Sequence, residues 1–262
     1  MKKLIRFILN HFPRKYLQRF SHVVLRMTSV FYYGHRVECP VCHHHFRKFL
    51  PYGYVHSREN ALCPSCLALE RHRQIWLFLQ RKTNFFHQKG AMLHVAPEFC
   101  FIKRFEQLPE IDYYTADLES PLASVKMDIH HIPFQSDFFD IIMCNHILEH
   151  VDNDRLAMSE LFRVMKPNGW GIIQSPVNTQ RHKTYEDPSI VTPEERLKHF
   201  GQKDHQREYG IDYADRLREA GFRVTEIPLT DFASDLEIKQ FALTLNPEAA
   251  SDTTIYYVEK PC

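Results

Sequence analysis

From residue 90 onward, short apolar runs alternate with longer stretches whose apolar residues recur at helical spacing. Runs at 92–96, 113–116, 125–128, 139–144, 171–177, 222–227 and 253–259 have the length of buried strands. Phe101, Ile102, Phe105 and Leu108 mark one intervening helix. A second carries Ala157, Met158, Leu161, Val164 and Met165, with Asp152 or Asn153 as N-cap and Pro167-Asn168-Gly169 as its stop. A third, at 213–220, ends at Gly221. Strands alternating with helices predict an α/β fold with a doubly wound, largely parallel sheet.

Before residue 90 the pattern differs. Leu4, Ile5, Ile8, Leu9 and Phe12 share one helical face, and Leu17, Phe20, Val24 and Met27 resume it beyond Pro13. Residues 1–36 hold eight of the 33 Lys/Arg and no acidic residue, so they read as a basic amphipathic segment. Such a stripe suits an anionic membrane surface, packing on the protein's own core, or contact with RNA. No apolar run reaches the ~18 residues of a membrane span, and Arg6, Asn10 and His11 break any signal-peptide core. The expected location is cytoplasmic, with peripheral membrane contact through residues 1–30.

Cys39-Pro-Val-Cys42 and Cys63-Pro-Ser-Cys66 are two CxxC pairs roughly twenty residues apart. Two such turns facing each other supply the four-thiolate shell that zinc prefers, and a closed four-cysteine site leaves the metal structural. Residues 37–75 therefore read as a zinc ribbon, with strand-like pieces at 46–50 and 52–56 and His43, His44 and His45 on its surface. A helix at 76–89 links it to a domain at 90–262. Arg71, His72 and Arg73 precede that helix, either as structure or as a substrate-facing surface. An odd total of seven cysteines argues against a secreted disulfide framework.

Charge narrows the partner classes. Outside the first 36 residues, 25 Lys/Arg face all 32 Asp/Glu, so the 90–262 domain is a poor electrostatic footprint for nucleic acid.

The densest chemistry lies at 126–177. Asp128, Pro133-Phe134, Phe139-Asp140 with four apolar residues, and Asn145-His146-Ile147-Leu148-Glu149-His150 follow one another. This order puts acidic and polar groups at the carboxyl ends of adjacent buried strands, where open α/β sheets bind ligands. The block resembles the class I S-adenosylmethionine (SAM) dependent methyltransferases, above all the bacterial group with DxxxLPF, FD plus four apolar residues, and NHxLEH. The likeness spans roughly residues 90–262. It implies a seven-stranded sheet with an antiparallel last strand and SAM as cofactor. It further implies that Asp117, with Leu118 beside it, takes the ribose, that Asp128 and the Ile129 backbone take the adenine, and that Asn145 lines the methionine end. The loop after the first strand, His94-Val95-Ala96-Pro97-Glu98, departs from the family by lacking glycine. His94 and Ala96 fall at its cofactor side, and Glu98 is placed to meet the cofactor's ammonium group.

Methyl transfer needs an aligned nucleophile and, for a hydroxyl acceptor, removal of a proton. His146 and His150 follow the fourth strand, and the polar insertion 178–210 adds His205 as a base and Arg207 as an anion clamp. That insertion is far longer than an ordinary connection and is expected to serve as a lid or acceptor pocket. Three readings follow: a methyltransferase acting on a small, glycan or lipid-linked acceptor, an rRNA-type methyltransferase, or a non-catalytic zinc-stabilised SAM-binding module.

Overall fold

The computed structural model describes residues 29–53, 57–120, 123–243 and 253–262. The basic stretch at 1–30 lies almost wholly outside the described residues. Among those described, no helix is long and apolar enough to cross a membrane. The chain divides into two units, Met1–Leu77 with Ser234–Leu243, and Phe78–Ala233 with Thr244–Cys262.

In the first unit, strands β1 (Tyr33–Glu38) and β2 (His45–Phe46) pair antiparallel, as do β3 (Leu50–Tyr52) and β4 (Arg58–Leu62). The strand expected at 46–50 is thus displaced, and most of the one expected at 52–56 lies outside the described residues. The chain turns at residues 47–49, where Asn60 Oδ1 accepts the Phe49 N–H at 2.6 Å and Arg47 donates to the Phe31 carbonyl. Each CxxC pair follows a strand and closes the same way. His43 N–H bonds Cys39 O at 2.7 Å and Leu67 N–H bonds Cys63 O at 2.9 Å. Helix α1 (Glu70–Lys82) begins in this unit. Arg73 on it is fully buried and donates to the carbonyls of Ala61, Ala68, Phe241 and Ala242 while stacking over Phe49. Those bonds tie in Ser234–Leu243, which sequence alone assigns to the other domain. Arg73 is structural, and so is His72, whose ring accepts the Leu69 N–H.

The second unit is a seven-stranded sheet. Its strands are β5 (Gly90–Val95), β6 (Ile111–Asp117), β7 (Val125–Lys126), β8 (Phe139–Asn145), β9 (Met165–Gln174), β12 (Arg223–Pro228) and β13 (Thr254–Glu259), in the spatial order β12-β13-β9-β8-β5-β6-β7. β5, β6, β7, β8 and β9 run parallel, and β13 lies antiparallel between β9 and β12. The doubly wound expectation and its antiparallel last strand are both met. Helices α2 (Phe99–Phe105), α3 (Asp154–Val164), α4 (Pro193–Phe200) and α5 (Tyr213–Glu219) complete the unit. Asn153 caps α3 through its side chain, which accepts the Leu156 N–H. The expected stop at Pro167 is corrected: α3 ends at Val164, and Pro167-Asn168-Gly169 form an irregularity inside β9 between the pairs Met165↔Phe139 and Trp170↔Ile141. The insertion is folded rather than loose. Two-residue strands β10 (Tyr185–Glu186) and β11 (Arg207–Glu208) pair, and α4 starts in a Thr192–Glu195 capping box.

The order reverses at β5 and β8: the chain leaves β5 for β6 on one side, and β8 flanks it on the other. A crevice opens outside the carboxyl ends at such a point.

Candidate active site

The carboxyl ends of β5, β6 and β8 line a cavity of about 380 Å³, within the range of small-molecule sites. Ala96, Asp117, Leu118, Asp128, Ile129, His130, Ile147 and His150 are among its walls. Five of the eight residues expected at the cofactor therefore share one cavity: Ala96, Asp117, Leu118, Asp128 and Ile129.

The glycine-free loop reaches the crevice by an unusual backbone. Ala96 has φ +47°, the left-handed region that glycine adopts without strain, and its N–H bonds Ala116 O at 2.7 Å. Alanine, the smallest side chain with a Cβ, stands in for glycine here. Asp117 Oδ1 caps its own turn by accepting the N–H groups of Glu119 (2.8 Å) and Ser120 (2.6 Å), which aims the carboxylate and leaves Oδ2 for a ligand. Asp128 Oδ1 accepts the His130 backbone N–H at 2.9 Å and faces the His130 ring at 2.8 Å. The backbone donor first, then the ring, hold the Asp128 carboxyl below the usual carboxylate range.

Just ahead of α2, and not among the walls of that cavity, the carboxylate of Glu98 spans two elements. Oε2 lies 2.5 Å from His94 Nε2, and Oε1 accepts from Asn145 Nδ2 at 2.9 Å. A carboxylate only accepts, so the Asn145 amide nitrogen must face Glu98 and Oδ1 must face away. That Oδ1 is buried and has no hydrogen-bond partner among the described residues. A buried acceptor without a donor is destabilising, and a bound ammonium group would satisfy it. His94 is corrected: it has no exposed surface, and its second nitrogen is taken by Tyr113 Oη at 2.8 Å. It orients Glu98 instead of meeting a cofactor.

On the insertion side, β8 is followed by His146 at φ +57°, with its N–H bonded to Gln174 O at 2.7 Å. Glu149 is 2 % exposed. It accepts from Ser175 Oγ at 2.9 Å and lies 3.3 Å from His146 Nδ1 and 4.0 Å from His150 Nε2. Burial alone would raise its pKa; the His146 hydrogen bond and the His146 and His150 charges outweigh it and hold Glu149 below the usual range. His205 stacks edge-on to His150 at 4.8 Å, and burial lowers its pKa. His146, His150 and His205 thus meet around Glu149. Sequence reading left Glu149 without a role, although an acid enclosed by two candidate histidines in His-x-x-Glu-His was a usable signal.

Arg207 is the second correction. It is buried, and its guanidinium donates to the carbonyls of Leu148 (2.7 Å), Val151 (2.7 Å) and Asp152 (2.9 Å) and to Glu186 (3.0 Å). With its donors spent on the chain it cannot clamp an anion; it fixes the turn that carries Glu149 and His150.

The four cysteines of the first unit form a separate centre. Cys39 and Cys66 sulfurs are 3.5 Å apart, Cys42 and Cys63 sulfurs 3.7 Å, and none is in a disulfide. A tetrahedron with metal–sulfur bonds of about 2.3 Å has edges of about 3.8 Å, so the cluster fits a single ion.

The sequence profile of the family described as "Methyltransferase domain" matches residues 101–173, which run from α2 through β9. Over that segment, 73 of 262 residues, the chain is similar to methyltransferase domains. The methyltransferase fold extends well beyond the matched segment. An S-adenosylmethionine-dependent methyltransferase structure from Listeria monocytogenes aligns with a TM-score of 0.51 at 13% identity, covering 72% of this chain and 97% of that one. The 4+2 cyclase SpnF aligns with a TM-score of 0.52 at 13% identity, covering 93% of this chain and 96% of that one. No curated protein matches the chain by sequence. The methyltransferase fold accommodates a cyclase as well, so activity has to be argued from the site.

Proposed function

We propose that the protein is a SAM-dependent methyltransferase acting on a small, glycan or lipid-linked acceptor held on the insertion side of the crevice. The observation that carries this reading is the cavity at the carboxyl ends of β5, β6 and β8, walled by Ala96, Asp117 and Asp128 inside a methyltransferase-family domain. Asp117 Oδ2 would bind the ribose hydroxyls and the outer oxygen of Asp128 the adenine amino group. The orphaned Asn145 Oδ1 and the adjacent Glu98 would receive the ammonium group. Bound SAM supplies an electrophilic methyl on sulfur. His146, His150 and His205 present ring nitrogens on the acceptor side, with Glu149 holding His146 in place.

Two features bear on the acceptor. The excess of acidic over basic residues beyond position 36 disfavours RNA, and the basic, amphipathic first thirty residues favour an acceptor near an anionic membrane. The four cysteines are assigned to one structural zinc ion, beside which the buried Arg73 offsets thiolate charge. Incubation with radiolabelled SAM and fractionated host extract is the test. Label in a lipid, glycan or small-molecule fraction is expected; label confined to RNA would move the acceptor class. SAM binding without any methyl transfer would leave a sensor.

A further inference from the structure

Glu149, His150 and His205 offer three ligand atoms within 4.8 Å of one another, on the insertion side of the crevice. We propose that they form a second metal centre, a site for one divalent transition-metal ion, distinct from the four-cysteine cluster.

Charge supports it first. Glu149 is buried, and neither oxygen pairs with a lysine or arginine among the described residues. A buried carboxylate needs a compensating cation. The nearest charge-bearing side chains among the described residues are imidazoles, His146 at 3.3 Å and His150 at 4.0 Å, with His205 within 4.8 Å. A neutral imidazole is the metal-binding form.

Orientation supports it next. His150 Nδ1 lies 3.4 Å from Asp204 Oδ2 and 3.3 Å from the Asp204 carbonyl, so Nε2 is the nitrogen turned toward Glu149. The His205 ring packs edge-on against the His150 ring at 4.8 Å. The Asp204 carboxylate and carbonyl beside His150 are partners of the kind that hold a metal-bound histidine in one tautomer. Ser175 steadies the second oxygen of Glu149. The Arg207 clamp on the carbonyls of residues 148, 151 and 152, together with the Gln206 N–H bond to Glu149 O, fixes both halves of the site in place.

Two imidazoles and one carboxylate form a borderline N/O donor set that takes Zn²⁺, Co²⁺, Mn²⁺ or Fe²⁺ and leaves coordination positions open. His150 also lines the cofactor cavity, which places the site beside it. The consequence, which rests on the methyltransferase reading, is an acceptor that coordinates through a hydroxyl oxygen.

The probe is Co²⁺, added to the full-length protein with its cysteine cluster left zinc-loaded. Calorimetry should give one equivalent, with weak visible d–d bands and none of the intense thiolate charge-transfer absorption. His150→Ala changes a partly exposed side chain and should fold; it should weaken Co²⁺ at least tenfold, as should Glu149→Gln. Asp204→Asn should weaken it less. Absence of a thiolate-free Co²⁺ signal, or unchanged affinity in His150→Ala, overturns the metal centre. SAM calorimetry on the same samples separates the two claims. SAM binding without Co²⁺ binding sinks only the metal centre, and Co²⁺ binding without SAM binding sinks only the methyltransferase reading.

Discussion

Ala96 carries a conflict between chemistry and backbone that one residue can test. Its left-handed φ costs an alanine about 1 kcal/mol, whereas glycine would relieve that strain but lose 0.4–1 kcal/mol through its freer unfolded chain, by the usual order of magnitude. Ala96→Gly should therefore be close to neutral in a melting curve and keep SAM affinity. Ala96→Val places a β-branched side chain in the same conformation and in the cavity wall. It should cost about 1–3 kcal/mol and abolish SAM binding. A wild-type response from the valine variant would show that this loop does not bear on the cofactor. Asp117 and Asp128 each offer a carboxylate with one oxygen spent on its own turn. Losing the remaining charge-assisted bond should cost about 1.5–3 kcal/mol, some tenfold to a hundredfold in SAM affinity. Calorimetry on Asp117→Ala and Asp128→Ala measures it, and full affinity in a folded double variant would refute the assignment.

Elements are tied together by a small ionic network in the inserted hairpin. Glu186 on β10 accepts from Arg207 on β11 and from Arg216 on α5, and Arg216 also bonds Asp154 at the start of α3. Arg207→Ala would leave three carbonyls and the Glu186 carboxylate short of a donor, and should cost about 3–5 kcal/mol. Arg207→Lys should recover little of this, because a single ammonium cannot reproduce the planar fork. A catalytic anion clamp would instead raise KM at unchanged melting temperature. The network also sets a pH dependence. Burial raises the Glu186 pKa, but the bonds from Arg216 and then Arg207 outweigh it and hold the folded value below the ordinary one. A depressed folded pKa means stability is fully present above the unfolded carboxylate value of about 4.3 and is lost as pH falls through the folded value. Urea midpoints measured from about pH 6 down to pH 3 should fall, and Glu186→Gln should flatten part of that slope. An identical slope in the variant would place the acid sensitivity elsewhere.

At the scale of the whole molecule, metal and fold are coupled in the cysteine-bearing unit. Cys39, Cys42, Cys63 and Cys66 join two short strand pairs whose own hydrogen bonds are few. Such a unit draws much of its stability from the ion. Chelation should therefore raise hydrogen exchange across residues 37–69 and leave the β5, β8 and β9 amides protected. Equal loss of protection in both stretches would contradict the local reading. One zinc per chain by metal analysis, absent after Cys63→Ser with Cys66→Ser, completes the check.

Periodicity and spacing determine a good deal alone. Apolar runs separated by helical stretches specify most strands and helices through their two periods, two and 3.6, although the helix-to-strand boundary at Met165 was not legible that way. The doubly wound sheet and its parallel core were legible for that reason and the cysteine cluster from its spacing, whereas the antiparallel last strand and the roles of the strand-end acids came from the resemblance to methyltransferases. Side-chain partnership was not. Arg207 and His205 lie two residues apart in one polar segment, yet one is consumed by backbone carbonyls and the other meets Glu149. His94 and Ala96 look alike as loop residues, but only Ala96 reaches the cavity, since His94 points into the core toward Tyr113. Ser234–Leu243 joins the cysteine unit because buried Arg73 needs the carbonyls of Phe241 and Ala242. Whether a polar group serves function or structure depends on which donors and acceptors the fold brings within about 3 Å of it, and only the tertiary structure decides that.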